Sequence, residues 1–290
     1  MYIGIDHGTT AMRFAGENGA FKLSRTDARD FRYQDLERLC PLDEIEGIAV
    51  CYSMGDAIAA ITGISKVEGR GVITREGAGE HIGGGTRVFD EIARSGLPAV
   101  VIPGLHRGSP TDVRFKAYSH QASPEKIGIA YEVFSALGGD FVVSDVSSNT
   151  VTMLVSGGEI RGALDACVFA PGTQHGALDV DAIRRIDWGR ETANEAFLHA
   201  GVAHTMPAEE QERTLALFAA MEIAALSVLN PGAGVALAGS CGPRIAAEVE
   251  GLLKRPVHVF DEWCAAHGLV KIARDVFGGA GSILGIGVDM

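Results

Sequence analysis

No cluster of basic residues interrupts this chain, which carries 37 Asp and Glu against 25 Lys and Arg, a formal net charge of -12. That balance excludes non-specific binding to nucleic acid or to an anionic membrane surface. Paired cysteines are missing too. Cys40, Cys51, Cys167, Cys241 and Cys264 are scattered, odd in number and form no C-x-x-C. They fit a reducing compartment and small buried hydrophobes better than a disulfide or zinc framework. The sequence does not open on a basic region followed by a long apolar one, and Asp6 interrupts the first apolar run. No apolar run is long enough to span a membrane, since the most apolar helical stretch contains Glu222. A cytoplasmic location is the expectation. Glycine, by contrast, is plentiful at 38 of 290 residues, against a usual level of roughly 7%. The glycines fall at apparent strand ends and helix starts, where tight turns and close backbone approaches need them. The length predicts two domains, each large enough for its own core.

The first fifteen residues carry the clearest local signal. Tyr2, Ile3 and Ile5 form a short apolar run that ends in Asp6, a Gly8-Thr9-Thr10 turn follows, and Ala11 to Ala15 reads as a second strand. The tip of such a hairpin presents backbone N–H groups, two hydroxyls and one carboxylate together. Successive N–H groups in a tight turn form a concave anion site. The carboxylate can hold a Mg²⁺ whose other ligands are phosphate oxygens and water. An ordinary hairpin in which Asp6 and the threonines only cap the turn is the competing reading.

Further along, Glu17-Asn18-Gly19 is a turn signal and Ala20 to Ser24 a third strand. Asp30 to Cys40 reads as a helix stopped by Pro41, Gly47 to Tyr52 as a buried strand, and Met54 to Ile64 as a helix capped by Ser53. Residues 65–87 are loop-like, including Gly83-Gly84-Gly85-Thr86. A short helix over 88–95, a strand over 97–102 and a polar loop over 106–120 follow. Strands separated by helices imply an α/β domain with a mixed sheet. Ser123-Pro124-Glu125 starts a connecting helix that Gly138 and Gly139 end. Phe141 to Val155 then repeats the opening pattern of apolar strand, Asp145, small polar turn and strand, with a third strand over 160–164. An internal repeat outweighs either motif alone. The predicted division is 1–122, a connecting helix over 123–138, and 139–290. Two such domains facing each other would set Asp6 and Asp145 on opposite walls of one cleft. The remainder predicts a long buried helix over 207–229 and a strand over 234–238. A Gly239-Ser240-Cys241-Gly242-Pro243 turn then leads into a helix over 244–253, a standard place for a nucleotide group. A strand over 257–260, a helix from about Glu262 and a glycine-rich terminal helix over 278–286 complete the expectation.

These residues resemble the acetate and sugar kinase, Hsp70 and actin superfamily. Gly4 to Arg13 is similar to its first phosphate motif, in the form seen in glycerol-type sugar kinases. Ser144 to Thr150 looks like the second, with Ser147 and Ser148 standing where glycines normally follow the aspartate. Ala238 to Pro243 looks like the adenosine motif. Ile3 to Thr10, Ser123 to Gly128 and Ala170 to Asp179 resemble the methanogenesis marker protein 12 family of methanogenic archaea over nearly the whole chain. Gly172 to Asp179 also faintly resembles an acetate kinase motif, but Gln174 replaces its arginine, which weighs against carboxylate-substrate chemistry.

The resemblance implies an α/β two-domain fold with duplicated mixed sheets and ATP with Mg²⁺ as cofactors. Gly8, Thr9 and Thr10 would meet the β- and γ-phosphates. Ser147, Ser148, Asn149 and Thr150 would belong to the second phosphate turn, and Gly239, Ser240 and Gly242 would approach the ribose and α-phosphate. Asp6 and Asp145 would position Mg²⁺, with Asp145 as candidate base. Arg13, Arg75, Arg87, Arg107 and Lys126 are the candidate cations for a transferring phosphoryl group. His7 and His175 are read as structural rather than catalytic, Cys241 as a small buried residue, and Cys264 with His267 as too few ligands for a metal. Two classes stay open, a phosphotransferase or ATPase acting on a small metabolite and a nucleotide-dependent switch with a protein partner in methanogenesis. Ser147 and Ser148 favour the second. A pseudo-enzyme without nucleotide is a third reading, and a homodimer is left open.

Overall fold

The computed structural model describes residues 1–73 and 83–290. Its elements run β1 (Tyr2–His7), β2 (Ala11–Gly16), β3 (Ala20–Ser24), β4 (Gly47–Val50), β5 (Ile61–Gly63), α1 (Gly84–Ser95), β6 (Ala99–Val101), β7 (Leu105–His106), β8 (His120–Ala122) and α2 (Glu125–Leu137). They continue as β9 (Phe141–Val146), β10 (Thr150–Ser156), β11 (Glu159–Asp165), α3 (Val180–Asp187), α4 (Ala193–Leu198), α5 (Val202–Thr205), α6 (Ala208–Ser227), β12 (Gly234–Ala238), α7 (Gly242–Leu253), β13 (His258–Val259), α8 (Cys264–Phe277), β14 (Ser282–Ile283) and β15 (Ile286–Asp289).

Two compact units result. Unit 1 holds Met1–Gly138, Gly158–Ile160 and Trp263–Met290, and unit 2 holds Gly139–Gly157 and Arg161–Glu262. The expected second domain over 139–290 therefore loses its last 28 residues to unit 1, where α8 packs on β1, β2, β4 and α2. The predicted terminal helix over 278–286 is instead the hairpin β14–β15. It adds to the unit 1 sheet where Val288 pairs with Ile61.

The duplication extends beyond the three-stranded meander. Unit 1 builds an eight-stranded sheet in the order β14-β15-β5-β6-β4-β1-β2-β3, and unit 2 a five-stranded sheet in the order β11-β10-β9-β12-β13. Reading β3-β2-β1-β4-β6 beside β11-β10-β9-β12-β13 aligns five strands. β1 and β9 each pair antiparallel with the next strand and parallel with a later one, β4 or β12. The fold is thus α/β with duplicated mixed sheets.

β1 explains why unit 1 needs this sequence. Side chains alternate across a strand, so Ile3 and Ile5 enter one core with Met12, Phe14, Val88 and Ile92. Phe14 stacks on Phe21 and Phe31 there, with centroids 4.6 and 5.0 Å away. Gly4 faces the opposite side, where any Cβ would overlap the Ala266 carbonyl oxygen of α8 and stand 2.7 Å from Leu269 Cβ.

Three local expectations are corrected. Residues 54–60 are turns that lead into β5, because Ser53 and Gly55 take φ of 44° and 60° and break a helix at its start. Residues 30–40 form two short 3₁₀ turns, Asp27–Asp30 and Tyr33–Arg38. The Gly83 to Thr86 run is no loop: α1 begins at Gly84, and Gly84, Gly85 and Thr86 are buried.

Candidate functional site

In unit 1 the candidate residues gather at the carboxyl ends of the parallel strands, where open α/β sheets hold their ligands. Asp6 and Arg13 are directly opposite on β1 and β2. Arg13 Nη1 donates to Asp6 Oδ2 at 3.2 Å, and Asp6 is only 3% exposed. Thr9 and Thr10 are exposed at the hairpin tip. Gly8 cannot be larger, because a Cβ would stand 2.7 Å from both the Ala11 carbonyl oxygen and Arg13 Nη1.

The alternation that points Asp6 to one face sends His7 to the other, onto the start of α1. Arg25 Nη1 lies 2.9 Å from His7 Nε2. A guanidinium has no acceptor, so Nε2 accepts and the imidazole proton sits on Nδ1. Burial, and next the Arg25 charge, push His7 down to about 3. The Tyr52 ring packs against it at 5.3 Å, tilted by 49°, and a Cβ on Gly85 would overlap Nε2. His7 is a neutral acceptor in a packed corner.

Of the five candidate cations, Arg75 lies outside the described residues. Arg87 donates to the Phe31 carbonyl and pairs with Glu91 at 3.2 Å, and Arg107 donates to the Lys116 and Ala117 carbonyls. Lys126, only 5% exposed, pairs with Glu125 at 3.0 Å where α2 begins. Cys51, just past β4, has its thiol pushed well up, first by burial and then by the Glu125 and Asp6 charges, with Lys126 opposing. Among the described candidate cations, Arg13 pairs with Asp6 itself, and Lys126 shares with Asp6 an influence on the Cys51 thiol. Glu125 and Arg25 escaped the sequence reading, and their only signal was a charge beside a helix start or strand end.

Unit 2 repeats the arrangement with a change. Asp145 is again 3% exposed near the end of its strand, and Ala238 is its parallel partner. The Ser147 hydroxyl donates to Asp145 Oδ1 at 3.0 Å and accepts from the Ser240 N–H at 3.2 Å. Gly239 has φ of +87°, and a Cβ there would overlap Asp145 Oδ1. The Cys241 N–H donates to the Val146 carbonyl at 2.9 Å, its buried thiol is pushed up by burial, and Gly242 opens α7. Ser240 is exposed.

The rest of the second turn is engaged by protein. Thr173 N–H donates to the Ser147 carbonyl, and the Gln174 and His175 N–H groups donate to that of Ser148, at 2.9 to 3.0 Å. Asn149 Nδ2 turns inward to Asp165 Oδ1 at 3.3 Å. The Thr150 hydroxyl donates to the Pro171 carbonyl at 2.8 Å and the residue is 0% exposed. The first residue of β10 faces the 171–175 segment.

That segment is a shelf. Gly201, Val202 and Ala203 N–H groups donate to the Gln174, Gly172 and Thr173 carbonyls at 2.8 to 3.0 Å, tying it to the start of α5. His175 is 6% exposed and stacks on Phe197 at 4.8 Å, as a structural histidine would. Gln174 Oε1 lies 3.0 Å from His204 Nε2.

Glu222 of α6 is the buried polar group whose role the sequence did not assign. It is 0% exposed, accepts from the Thr152 hydroxyl at 2.7 Å and the Ala170 N–H at 3.1 Å, and is pushed up to about 8 by burial. Asp165 pushes it further in the same direction. Its signal was a carboxylate interrupting an apolar helix.

Asp6 with the Thr9 and Thr10 hydroxyls in unit 1, and Asp145 in unit 2, are each hard oxygen donors. Mg²⁺ uses one or two carboxylates with phosphate oxygens and water, so either carboxylate suits that ion in its own unit without a dedicated cage. Among the described residues no group of three or more His, Cys, Asp or Glu could hold a metal by itself, and no helix is long and apolar enough to cross a membrane.

No protein-family model matches the chain. It is 46% identical to a UPF0285 protein of Methanosarcina mazei over 99% of both chains. It is 41% identical to a UPF0285 protein of Methanothermobacter thermautotrophicus over 100% of this chain and 99% of that one. Among solved structures it is similar to a propionate kinase from Francisella tularensis, with a TM-score of 0.57 and 11% identity over 92% of this chain and 98% of that one. It is also similar to a putative 2-dehydro-3-deoxygalactonokinase from Sinorhizobium meliloti, at 0.51 and 15% over 97% and 100%. The (R)-2-hydroxyglutaryl-CoA dehydratase component A of Acidaminococcus fermentans scores 0.51 at 11% over 96% and 98%. The chain shares with these solved structures a two-domain, kinase-like α/β fold.

Proposed function

The chain belongs to the UPF0285 family, and we propose that it binds Mg-ATP and acts as an ATP-dependent phosphotransferase or ATPase linked to methanogenesis. One observation carries this reading. Equivalent strands β1 and β9 each end in a buried carboxylate, Asp6 or Asp145, followed by a short polar turn. In unit 2 a strand, the Gly239 turn and the start of α7 follow as well.

Gly8, Thr9 and Thr10 are the N–H and hydroxyl donors for phosphate, with Ser148, Gly239, Ser240 and Gly242 offering main chain and Ser147 its hydroxyl in unit 2. Asp6 and Asp145 are the carboxylates for Mg²⁺ and its waters, Asp145 being also the residue to orient a nucleophile. Mg²⁺ would supply charge neutralisation at the phosphates. Kinases of the same fold support the assignment, and the methanogenic relatives, with the resemblance to the marker protein 12 family, support the link to methanogenesis.

A nucleotide-dependent switch acting on a protein partner is the second reading. The observation that favours it is the engagement of the Ser147 and Ser148 turn by protein groups. Calorimetric titration with ATP and Mg²⁺ tests nucleotide binding, and no heat with no thermal stabilisation at millimolar ATP would sink it. An ADP-release screen then separates the readings. Stimulation by a small metabolite supports a phosphotransferase, and stimulation only by protein from cell extract supports a switch.

A further inference from the structure

One hydroxyl joins two turns of unit 2. Ser147 Oγ donates to Asp145 Oδ1 at 3.0 Å while accepting from the Ser240 N–H at 3.2 Å. The Ser240 amide stands two residues before α7, in a glycine turn after a parallel strand. Such an N–H is the kind that meets a phosphate oxygen. Here a side-chain oxygen of the protein holds the acceptor position. Gly239 makes the arrangement possible, because a Cβ at that position would crowd Ser147 Oγ as well as Asp145.

The main chain of the turn is fixed. Ser147 N–H donates to the Asn149 carbonyl at 2.9 Å, and the Ser147 and Ser148 carbonyls accept from residues 173–175. The one part of Ser147 free to turn is its side chain, by rotation among staggered χ1 wells. Ser147 and Ser240 are not closed off by packing, being half-buried and exposed respectively.

We propose that Ser147 is a latch on the nucleotide site, holding the Ser240 amide and the Asp145 carboxylate together until a phosphate oxygen displaces its hydroxyl. The proposal rests on the nucleotide reading of these same turns. Binding at Ser240 exchanges one hydrogen bond for another, so affinity is held down. The same rotation that frees the amide also breaks the Ser147 bond to Asp145, which couples phosphate entry to a change at that carboxylate.

The test compares the full chain with Ser147→Ala, Ser147→Gly and Ser147→Thr. Calorimetry reads Mg-ATP affinity, and amide hydrogen exchange reads the Ser240 N–H in the nucleotide-free protein. The latch predicts a protected Ser240 amide in wild type and Ser147→Thr, and faster exchange in Ser147→Ala and Ser147→Gly. Those two variants should bind Mg-ATP about three- to tenfold more tightly, the range of one net hydrogen bond, and Ser147→Thr like wild type. Binding by Ser147→Ala and Ser147→Gly but not by wild type also supports the latch. Equal affinity in all four chains, or weaker binding in Ser147→Ala with unchanged Ser240 exchange, overturns the latch and leaves the nucleotide reading standing. Absence of binding in all four overturns both.

Discussion

Arg13 Nη1 and Asp6 Oδ2 stand 3.2 Å apart across the first hairpin, on residues directly opposite in the antiparallel register. The pair links strand geometry to site chemistry, because the alternation that buries Ile5 on one face leaves Asp6 and Arg13 together on the other. With Asp6 only 3% exposed, the guanidinium offsets the buried carboxylate's charge and orients it.

Removing that charge should show in both stability and ligand binding. Arg13→Ala is expected to lower unfolding free energy by about 2 kcal/mol, below the cost of breaking a fully buried pair because Arg13 retains some exposure. Urea denaturation measures it. Arg13→Lys should recover part of the stability but not the fixed fork geometry. Asp6→Asn should fold and lose the Mg²⁺ dependence of ATP binding, and unchanged dependence would remove Asp6 as a metal ligand.

A second prediction concerns the helix crossing of unit 1. A Cβ on Gly268 of α8 would overlap the Gly128 carbonyl oxygen of α2, and one on Gly128 would stand 2.6 Å from the Ala265 carbonyl oxygen. Backbone cannot step aside as a flexible side chain can, so Gly268→Ala should destabilise by about 3 kcal/mol or more. The matched control is Gly251→Ala in α7, where nothing lies within 4 Å. That change should be neutral or stabilise by up to about 1 kcal/mol. Thermal melts of the two variants distinguish the cases.

The meander, its repeat and the Gly239 turn were legible because each is local, an apolar run ending at a polar turn. The helix expected over 54–64 failed because Ser53 and Gly55 take positive φ, a choice set by tertiary packing. A Cβ on Gly55 would stand 2.6 Å from Pro124 Cγ and from the Gly104 amide nitrogen, both distant in sequence. The terminal hairpin failed for the same kind of reason, since β15 exists to pair with β5. At the candidate site the residue types were readable but not their directions. Thr9 lies in the first turn and is exposed, whereas Thr150 is already the first residue of β10, paired with Val146, and is wholly buried.

That contrast is testable. Thr150→Val removes the bond to the Pro171 carbonyl and should cost about 1 to 2 kcal/mol of stability, leaving Mg-ATP affinity within twofold or so. Thr9→Ala and Thr10→Ala should leave stability almost unchanged and weaken Mg-ATP binding. The reverse pattern, with Thr150→Val weakening binding at unchanged stability, would place the Thr150 hydroxyl on the ligand.

The pH dependence of stability should carry two opposed contributions. Glu222, raised by burial from 4.5 to about 8, holds a proton in the native state that the unfolded chain has lost. Its contribution is full below about pH 4.5 and disappears as pH rises through 8. His7, lowered to about 3 by burial and Arg25, does the opposite. The unfolded chain takes up a proton below about pH 6.5 that the native state refuses, so stability falls as the solution is acidified from there. Between about pH 4.5 and 6.5 the two slopes oppose each other and wild type should look nearly flat. Glu222→Gln keeps an acceptor for the Ala170 N–H without the ionisation, and at pH 9 it should be more stable than wild type by on the order of 4 kcal/mol. His7→Gln should uncover the Glu222 slope, so that the variant gains stability on acidification across that window. Denaturant unfolding from pH 5 to 9 measures both, and parallel profiles for wild type and Glu222→Gln would mean that Glu222 is ionised throughout.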